Sequence, residues 1–496
     1  MSKEIRNLAK DTVIYGLSSM LGRFLNWCLV PLYTYKLIQA QFGEVTNLYA
    51  WMSLSLVILT YGMETGFFRF VDENKTPWKT FSTCMTSISA TSFAFLGLII
   101  LFLSPISNAI GYSIHKDYII MTALILTMDA ISAVPFAMLR YKKKAIKFAS
   151  LKMLFIFLNI AFNIFFLVLA PMIWNSHPEL ISWFYNPNYG VGYILVANVL
   201  CTFIVLLTLL PEIFKMKWIF DYKLLKKILR YSFPLLILGI AGIMNQTLDK
   251  ILYPYLGGHG DLNLAKEELG IYGANYKIAI IMVMFTQAFR YAYEPFIFAK
   301  NNSENKNKSY ADAMKYFVIF SLFIFLGVIF YLDIIRYFIN PKYFPGLKIV
   351  PIVMAAQLFF GIVFNLSLWY KLIDKTRWGA YFSVLGLAIT LAINFMFVPQ
   401  YGYIACAWAA FICYAVMMLG SYFVGQHYYP INYNLKSIFG YTLLAVILYT
   451  ISAYVTIDNI VWRLLFRTVL LVIFIGYTIK KDIPLKNILA LKRYFK

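Results

Sequence analysis

Seven ionisable side chains are singled out as interior candidates within long apolar runs of the sequence: Arg23, Asp129, Asp249, Lys250, Lys277, Arg290 and Glu294. A charge in hydrocarbon is expensive, so each must meet water, an opposite charge or a ligand, and each is a functional candidate on that ground. Arg23 stands about 11 residues into the apolar stretch from Thr12 to Tyr35, or about 17 Å along a helix, near the middle of a hydrocarbon core of about 30 Å. Snorkelling from that depth does not easily reach water. A guanidinium there can bind a phosphate through paired, charge-assisted hydrogen bonds. Alternatively it forms a structural pair with Asp129 or Glu64, or stacks on Trp27 one turn further on.

The other cations admit the same two readings. Lys250 falls toward the end of the seventh apolar run, Lys277 toward the start of the eighth, and Arg290 further along the eighth. Gln287, Arg290 and Glu294 share one helix face, so a local pair between Arg290 and Glu294 competes with a ligand role for either. Lys277 is further from an obvious acid on its own helix and is the better candidate for a cation lining a cavity. Asp129 and Asp249 are the most deeply placed carboxylates and could bind and release a proton or a sodium ion. Asp249 could instead neutralise a lysine on a neighbouring helix.

Metal and disulfide chemistry find little support. The cysteines Cys28, Cys84, Cys201, Cys406 and Cys413 all sit in apolar runs, where a thiol behaves as a small hydrophobe. The histidines His115, His177, His259 and His427 lie in or beside loops, without metal-ligand spacing. No resident metal or cofactor is therefore expected.

The elements that position these charges follow from composition. The chain is 61% hydrophobic and 13% charged, too apolar for a water-soluble fold. Apolar runs long enough to span a bilayer recur at 12–35, 45–67, 82–104, 118–139, 150–171, 190–211, 232–255, 270–298, 314–335, 347–370, 378–398, 403–425, 438–457 and 460–479. Their continuity over about 20 residues indicates helices; a transmembrane barrel would show alternation over about ten. The expected fold is an all-α polytopic membrane protein of about 14 spans. The first run is too long for a signal-peptide core and is expected to remain as the first span.

Connections on the side of the N-terminus hold 30 Lys and Arg residues, against 6 on the other side. That bias places both termini, and the loops around Lys142 to Lys147 and Lys215 to Arg230, in the cytoplasm. It also explains the formal charge of +22 without nucleic acid, because the excess faces the anionic inner leaflet. The longest inner connection, about 212 to 231, is expected to divide the chain into an N-terminal lobe (1–215), a C-terminal lobe (216–430) and two further spans with a basic tail (431–496). Spans one and seven open the two lobes. Both contain glycine and proline (Gly16, Gly22 and Pro31; Pro234, Gly239, Gly242 and Pro254), a pattern that points to a transporter site between repeats.

Several stretches resemble a known family. Gly22-Arg23-Phe24-Leu25, Pro31-Leu32-Tyr33-Thr34, Phe42-Gly43, Tyr61-Gly62-Met63-Glu64-Thr65 and Phe68-Arg69-Phe70 are similar to bacterial oligosaccharide flippases. These form the polysaccharide transporter branch of the multidrug/oligosaccharidyl-lipid/polysaccharide exporter superfamily. Ala288-Phe289-Arg290-Tyr291-Ala292-Tyr293-Glu294-Pro295-Phe296 and Pro399-Gln400-Tyr401-Gly402-Tyr403-Ile404-Ala405 extend the likeness. The resemblance implies two six-helix lobes around a central cavity, with two extra C-terminal helices, in a bacterial cytoplasmic membrane. It further implies alternating-access transfer of an undecaprenyl-pyrophosphate-linked sugar repeat unit to the outer leaflet, with H+ or Na+ coupling in some members. Contact with polysaccharide assembly proteins would fit such a role. One departure is Asp249-Lys250, where the family often pairs an acid with arginine; lysine offers a point charge in place of a planar fork.

In that frame Arg23, Lys250, Lys277 and Arg290 are the expected cavity cations, and Asp129, Asp249 and Glu294 the candidates for ion coupling. A drug or cation antiporter of the same superfamily would favour acids in its cavity. A membrane polymerase or glycosyltransferase would need a catalytic loop or domain, and the outer connections are about 20 residues or fewer, with no nucleotide or paired-carboxylate motif. Transport is therefore expected, not catalysis. Most of the many aromatic residues are expected to anchor the interfaces, not to stack on sugar.

Overall fold

A computed structural model describes residue 16 and residues 20–72, 77–215, 217–300 and 306–482, leaving out the side chains of 292 and 294–300. The described residues form helices and connections, with no strand among them. Thirteen of these helices are long and apolar enough to cross a membrane. They coincide with the second to fourteenth apolar runs of the sequence. The first run is described mainly in its second half, where helical residues lead into α1 (Leu29–Lys36).

The remaining helices are α2 (Gln39–Phe70), α3 (Pro77–Leu101), α4 (Lys116–Tyr141), α5 (Ala145–Ser176) and α6 (Val191–Phe214). There follow α7 (Tyr222–Leu256) and α8 (Leu262–Lys300). The chain continues with α9 (Lys306–Phe330), α10 (Pro341–Leu372), α11 (Arg377–Tyr401), α12 (Tyr403–Tyr428), α13 (Leu435–Tyr454) and α14 (Ile460–Lys481).

One expectation is corrected. The long inner connection at 212–231 is short, because α6 runs to Phe214 and α7 begins at Tyr222. Asp221 starts α7 early: its side chain accepts from the Leu224 amide, satisfying one of the free N–H groups of the first turn. The same carboxylate pairs with Lys79 Nζ at 2.6 Å, and this contact holds it below the usual carboxylate range. The second half of the expected connection is instead the first turns of a 35-residue helix.

Two compact units divide the chain. The first comprises residues 1–274 and 379–409, the second residues 275–378 and 410–496. Lipid tails are as apolar as leucine, so helices in a bilayer associate through close packing and polar contacts instead of hydrophobic drive. In the first unit α4 packs on α3 and α6, and α7 on α2. Met63, Phe67, Phe81, Cys84, Ile88, Val134 and Ile228 fill one core. A buried polar chain crosses the same unit, in which Asn159 donates to Asn198 (2.9 Å) and Asn198 to the Tyr49 hydroxyl (2.6 Å).

In the second unit α9 is central, packed by α10, α13 and α14 through Phe317, Leu326, Phe330, Tyr441 and Phe474. Helix α14 is tied at both ends. Arg463 and Arg467 each approach Asp333 Oδ2 at 2.8 Å, while Lys315 bonds Asp482 just past the helix, also at 2.8 Å.

Candidate functional site

The first span sets Arg23 on an open face. Gly22 is buried against Ile156 of α5, so closely that a Cβ there would stand 2.7 Å from the Ile156 side chain. One residue on, at 100° around the helix, Arg23 is exposed together with Phe24. The Phe24 and Trp27 rings stack on each other, 5.9 Å between centroids. Among the described residues, none provides Arg23 with a hydrogen bond, an ion pair or a ring contact.

Of the two acids that could have braced Arg23, Glu64 is paired elsewhere and Asp129 lies within reach of another cation. Glu64 is positioned by a break in α2, where Tyr61 and Gly62 both take left-handed conformations (φ 32° and 68°). Gly62 suits that geometry, which side chains rarely adopt, and its carbonyl accepts from Ser232 of α7. The Tyr61 hydroxyl meets Ser87 of α3 at 2.8 Å, fixing the break from the other side. One short turn later Glu64 accepts from the Arg140 guanidinium, which also lies over the Phe68 and Phe148 rings. Asp129, half-buried on α4, is within electrostatic reach of Lys152 on α5, whose ammonium lies 4.2 Å from the Phe136 ring centre.

Asp249 and Lys250 form a buried ion pair. The Lys250 ammonium stands 3.0 Å from both Asp249 oxygens and donates to the Gln246 carbonyl at 2.9 Å. Tyr272 of α8 gives the same carboxylate a 2.5 Å hydrogen bond, and the Lys250 carbonyl accepts from Asn47 of α2. Both side chains are about nine-tenths buried (11% and 9% exposed). Such a group can hold three helices in register.

Lys277 and Arg290 belong to the second unit. Lys277 is half-buried on α8; Arg290 is exposed, its guanidinium 4.7 Å from the Phe364 ring centre, with Lys371 over the same ring at 4.8 Å. The Glu294 side chain lies outside the described residues, and with it the pairing expected on the Arg290 face. Among the described residues no cluster of His, Cys, Asp and Glu could hold a metal.

The polysaccharide biosynthesis protein family matches residues 8–299, more than half of the chain. The chain belongs to that family. None of the curated proteins matches it in sequence. Among solved structures it is similar to the lipid II flippase MurJ in an inward closed conformation (TM-score 0.72, 16% identity, 95% of this chain and 98% of that one covered). An inward-facing multidrug resistance MATE transporter of the MOP superfamily is also similar (TM-score 0.63, 10% identity, 84% and 98% covered). So is a multidrug resistance MATE family transporter in an outward-facing conformation (TM-score 0.58, 12% identity, 86% and 98% covered). At these identities the likeness concerns the fold: this member of the polysaccharide biosynthesis family is an all-α, multi-pass membrane protein with a MurJ- and MATE-like helix arrangement.

Sequence reasoning passed over four further cations of this family member, Lys152, Lys315, Arg463 and Arg467. Lys152, Lys315 and Arg463 sit near the ends of apolar runs, where a charge passes for a flank, whereas Arg467 lies in the interior of the last run. Arg463 and Arg467 are spaced i, i+4 on one face of α14, a regularity that could have revealed them. Lys144 and Lys147, counted as loop charges, converge with Lys142 on the carboxylate of Glu212 at 3.3, 2.8 and 3.7 Å.

Proposed function

We propose that the protein is a flippase that carries an undecaprenyl-pyrophosphate-linked oligosaccharide repeat unit from the cytoplasmic to the outer leaflet of a bacterial membrane. Two six-helix lobes expose the substrate path alternately to the two sides, and no covalent chemistry is involved. The observation that supports this best is the exposed guanidinium of Arg23, near the middle of the first apolar run of the sequence and without a partner among the described residues. A charge at that depth persists when it meets water or an anion. A pyrophosphate is the anion that the planar fork fits.

Lys277 and Arg290 are the cations of the second unit that would follow the headgroup during transfer. Asp249 and Lys250 act as a structural pair in this scheme. Asp129, beside Lys152, is the acid we assign to H+ or Na+ coupling. The charge bias orients the protein with both termini in the cytoplasm, and neighbouring polysaccharide assembly proteins would receive the product.

The test is leaflet-resolved detection of the lipid-linked sugar. Depletion of the protein should trap the sugar in the inner leaflet, and re-expression should release it. Unchanged appearance in the outer leaflet after depletion would contradict the assignment.

A further inference from the structure

Within the first unit, the start of α2 meets the end of α7 and the start of α8 in a manner unlike the rest of its packing. Gly43 of α2 and Gly270 of α8 touch backbone to backbone. A Cβ on Gly43 would collide with the Lys266 carbonyl and stand 3.0 Å from Gly270 N; one on Gly270 would collide with the Gln39 carbonyl and stand 3.1 Å from Gly43 N. Beside this crossing, Lys266 Nζ binds Glu44 Oε1 at 2.8 Å and the Gly111 carbonyl at 3.2 Å, and lies 4.8 Å from the Tyr112 ring centre. Side-chain exposure in the pair is 11% for Lys266 and 13% for Glu44. Tyr112 donates to Asn47, Asn47 to the Lys250 carbonyl, and Tyr255 to the Ala109 carbonyl.

All of these groups lie on the side of the chain opposite the connections at 142–144 and 215–221, as successive helix crossings require. That is the outer side under the proposed orientation. We propose that the Glu44–Lys266 pair, seated on the Gly43–Gly270 crossing, is the latch that closes the outer end of the transport path and parts in each cycle. This rests on the flippase reading, since an alternating-access carrier must shut its outer side in part of each cycle.

Three features fit a contact made to open. Glycine against backbone leaves no side-chain knobs to be drawn from holes. The bonds that join the helices here are made by Glu44, Lys266, Asn47 and the Tyr112 hydroxyl, so water can take over each bond as it breaks; the apolar core around Phe67 and Phe81 has no such replacement. Finally, α8 gives its residues up to Ala274 to the first unit and those from Asn275 onward to the second, as one unbroken helix. That continuity joins residues of the second unit to the crossing through the backbone of α8.

The test uses the full chain in membranes, with exposed Cys28 replaced by serine. Thr46 Cβ stands 3.2 Å from the place of a Cβ on Gly273, near the separation of about 3.8 Å found in disulfides. The pair Thr46→Cys and Gly273→Cys should cross-link under mild oxidant, stop export of lipid-linked sugar and regain it on reduction, while Thr46→Cys alone exports normally under the same oxidant. Cross-linked protein that exports at the normal rate would overturn the latch. So would failure of two well-inserted cysteines to cross-link. In a second arm, Glu44→Gln should raise labelling of Thr46→Cys by an impermeant maleimide added outside, several-fold over the parent; equal labelling would overturn it too. Neither cross-linking nor labelling depends on the substrate, so they still report on the latch if depletion shows that the flippase reading is wrong.

Discussion

Arg140 donates to the carboxylate of Glu64, and in doing so removes from Arg23 one of the two acids that could have neutralised it. The pairing joins α2 to the last turn of α4 and leaves the first span outside the bond. Because the two side chains are 31% and 45% exposed, water screens the pair, and its contribution is about 1 kcal/mol. A double-mutant cycle on Glu64→Gln and Arg140→Gln should show that coupling in the thermal stability of the purified protein. The same cycle with Arg23→Gln and Glu64→Gln should show none. Coupling between Arg23 and Glu64 would return Arg23 to a structural role.

For Asp249 and Lys250 the expectation is loss of stability before loss of transport. Asp249→Asn strands a buried ammonium, at a cost of about 3–5 kcal/mol, and yield in detergent should fall. Replacing both, with Asp249→Asn and Lys250→Met, should recover much of that loss, because no uncompensated charge remains. Wild-type stability in Asp249→Asn would mean that Lys250 finds water or a ligand, as a cavity cation would.

Docking of α14 depends on Asp482. Burial pushes its carboxyl up, but hydrogen bonds from Lys315 and Tyr441 outweigh burial and hold it below the usual carboxylate range. A depressed value stabilises the fold above the ordinary aspartate pKa of about 3.9 and is lost as pH falls through the folded value. Asp482→Asn should therefore lower the melting temperature by a constant amount from about pH 8 to about pH 5, with the difference shrinking only below about pH 4. A difference that disappears near pH 6 would show that another group controls this contact.

Topology can be checked independently of substrate. Lys143, exposed in the short connection after α4, should react as Lys143→Cys with an impermeant reagent only when the cytoplasmic side is opened. Labelling from outside intact cells would invert the orientation, and with it the side assigned to the Glu44–Lys266 latch.

How far the sequence revealed these features depends on the kind of signal. Spans two to fourteen were legible because 20 apolar residues in a row have few other uses, and each reappears as a long helix. The ends were less legible: a helix cap such as Asp221 depends on one hydrogen bond, and a hydropathy reading takes the polar turns after it for a linker. Partner choice was the least visible. Arg140 looked like a loop charge, yet a break at Tyr61–Gly62 turns Glu64 to meet it. Likewise Asp249 and Lys250, adjacent in sequence, would ordinarily project 100° apart, and lysine's flexible stem closes the gap. The Gly43–Gly270 crossing left no trace in periodicity, because a glycine is noticed only when the backbone it meets is known.

Arg23 decides between a carrier for a phosphorylated lipid and a bundle that merely tolerates a charge. The measurement is export of lipid-linked sugar by Arg23→Ala and Arg23→Lys, read beside detergent-extracted yield and thermal stability of the same preparations. Alanine should abolish export with yield and stability unchanged, and lysine should restore part of it, supplying the charge without the planar fork. Normal export by Arg23→Ala at normal yield would contradict the pyrophosphate-binding role assigned to Arg23.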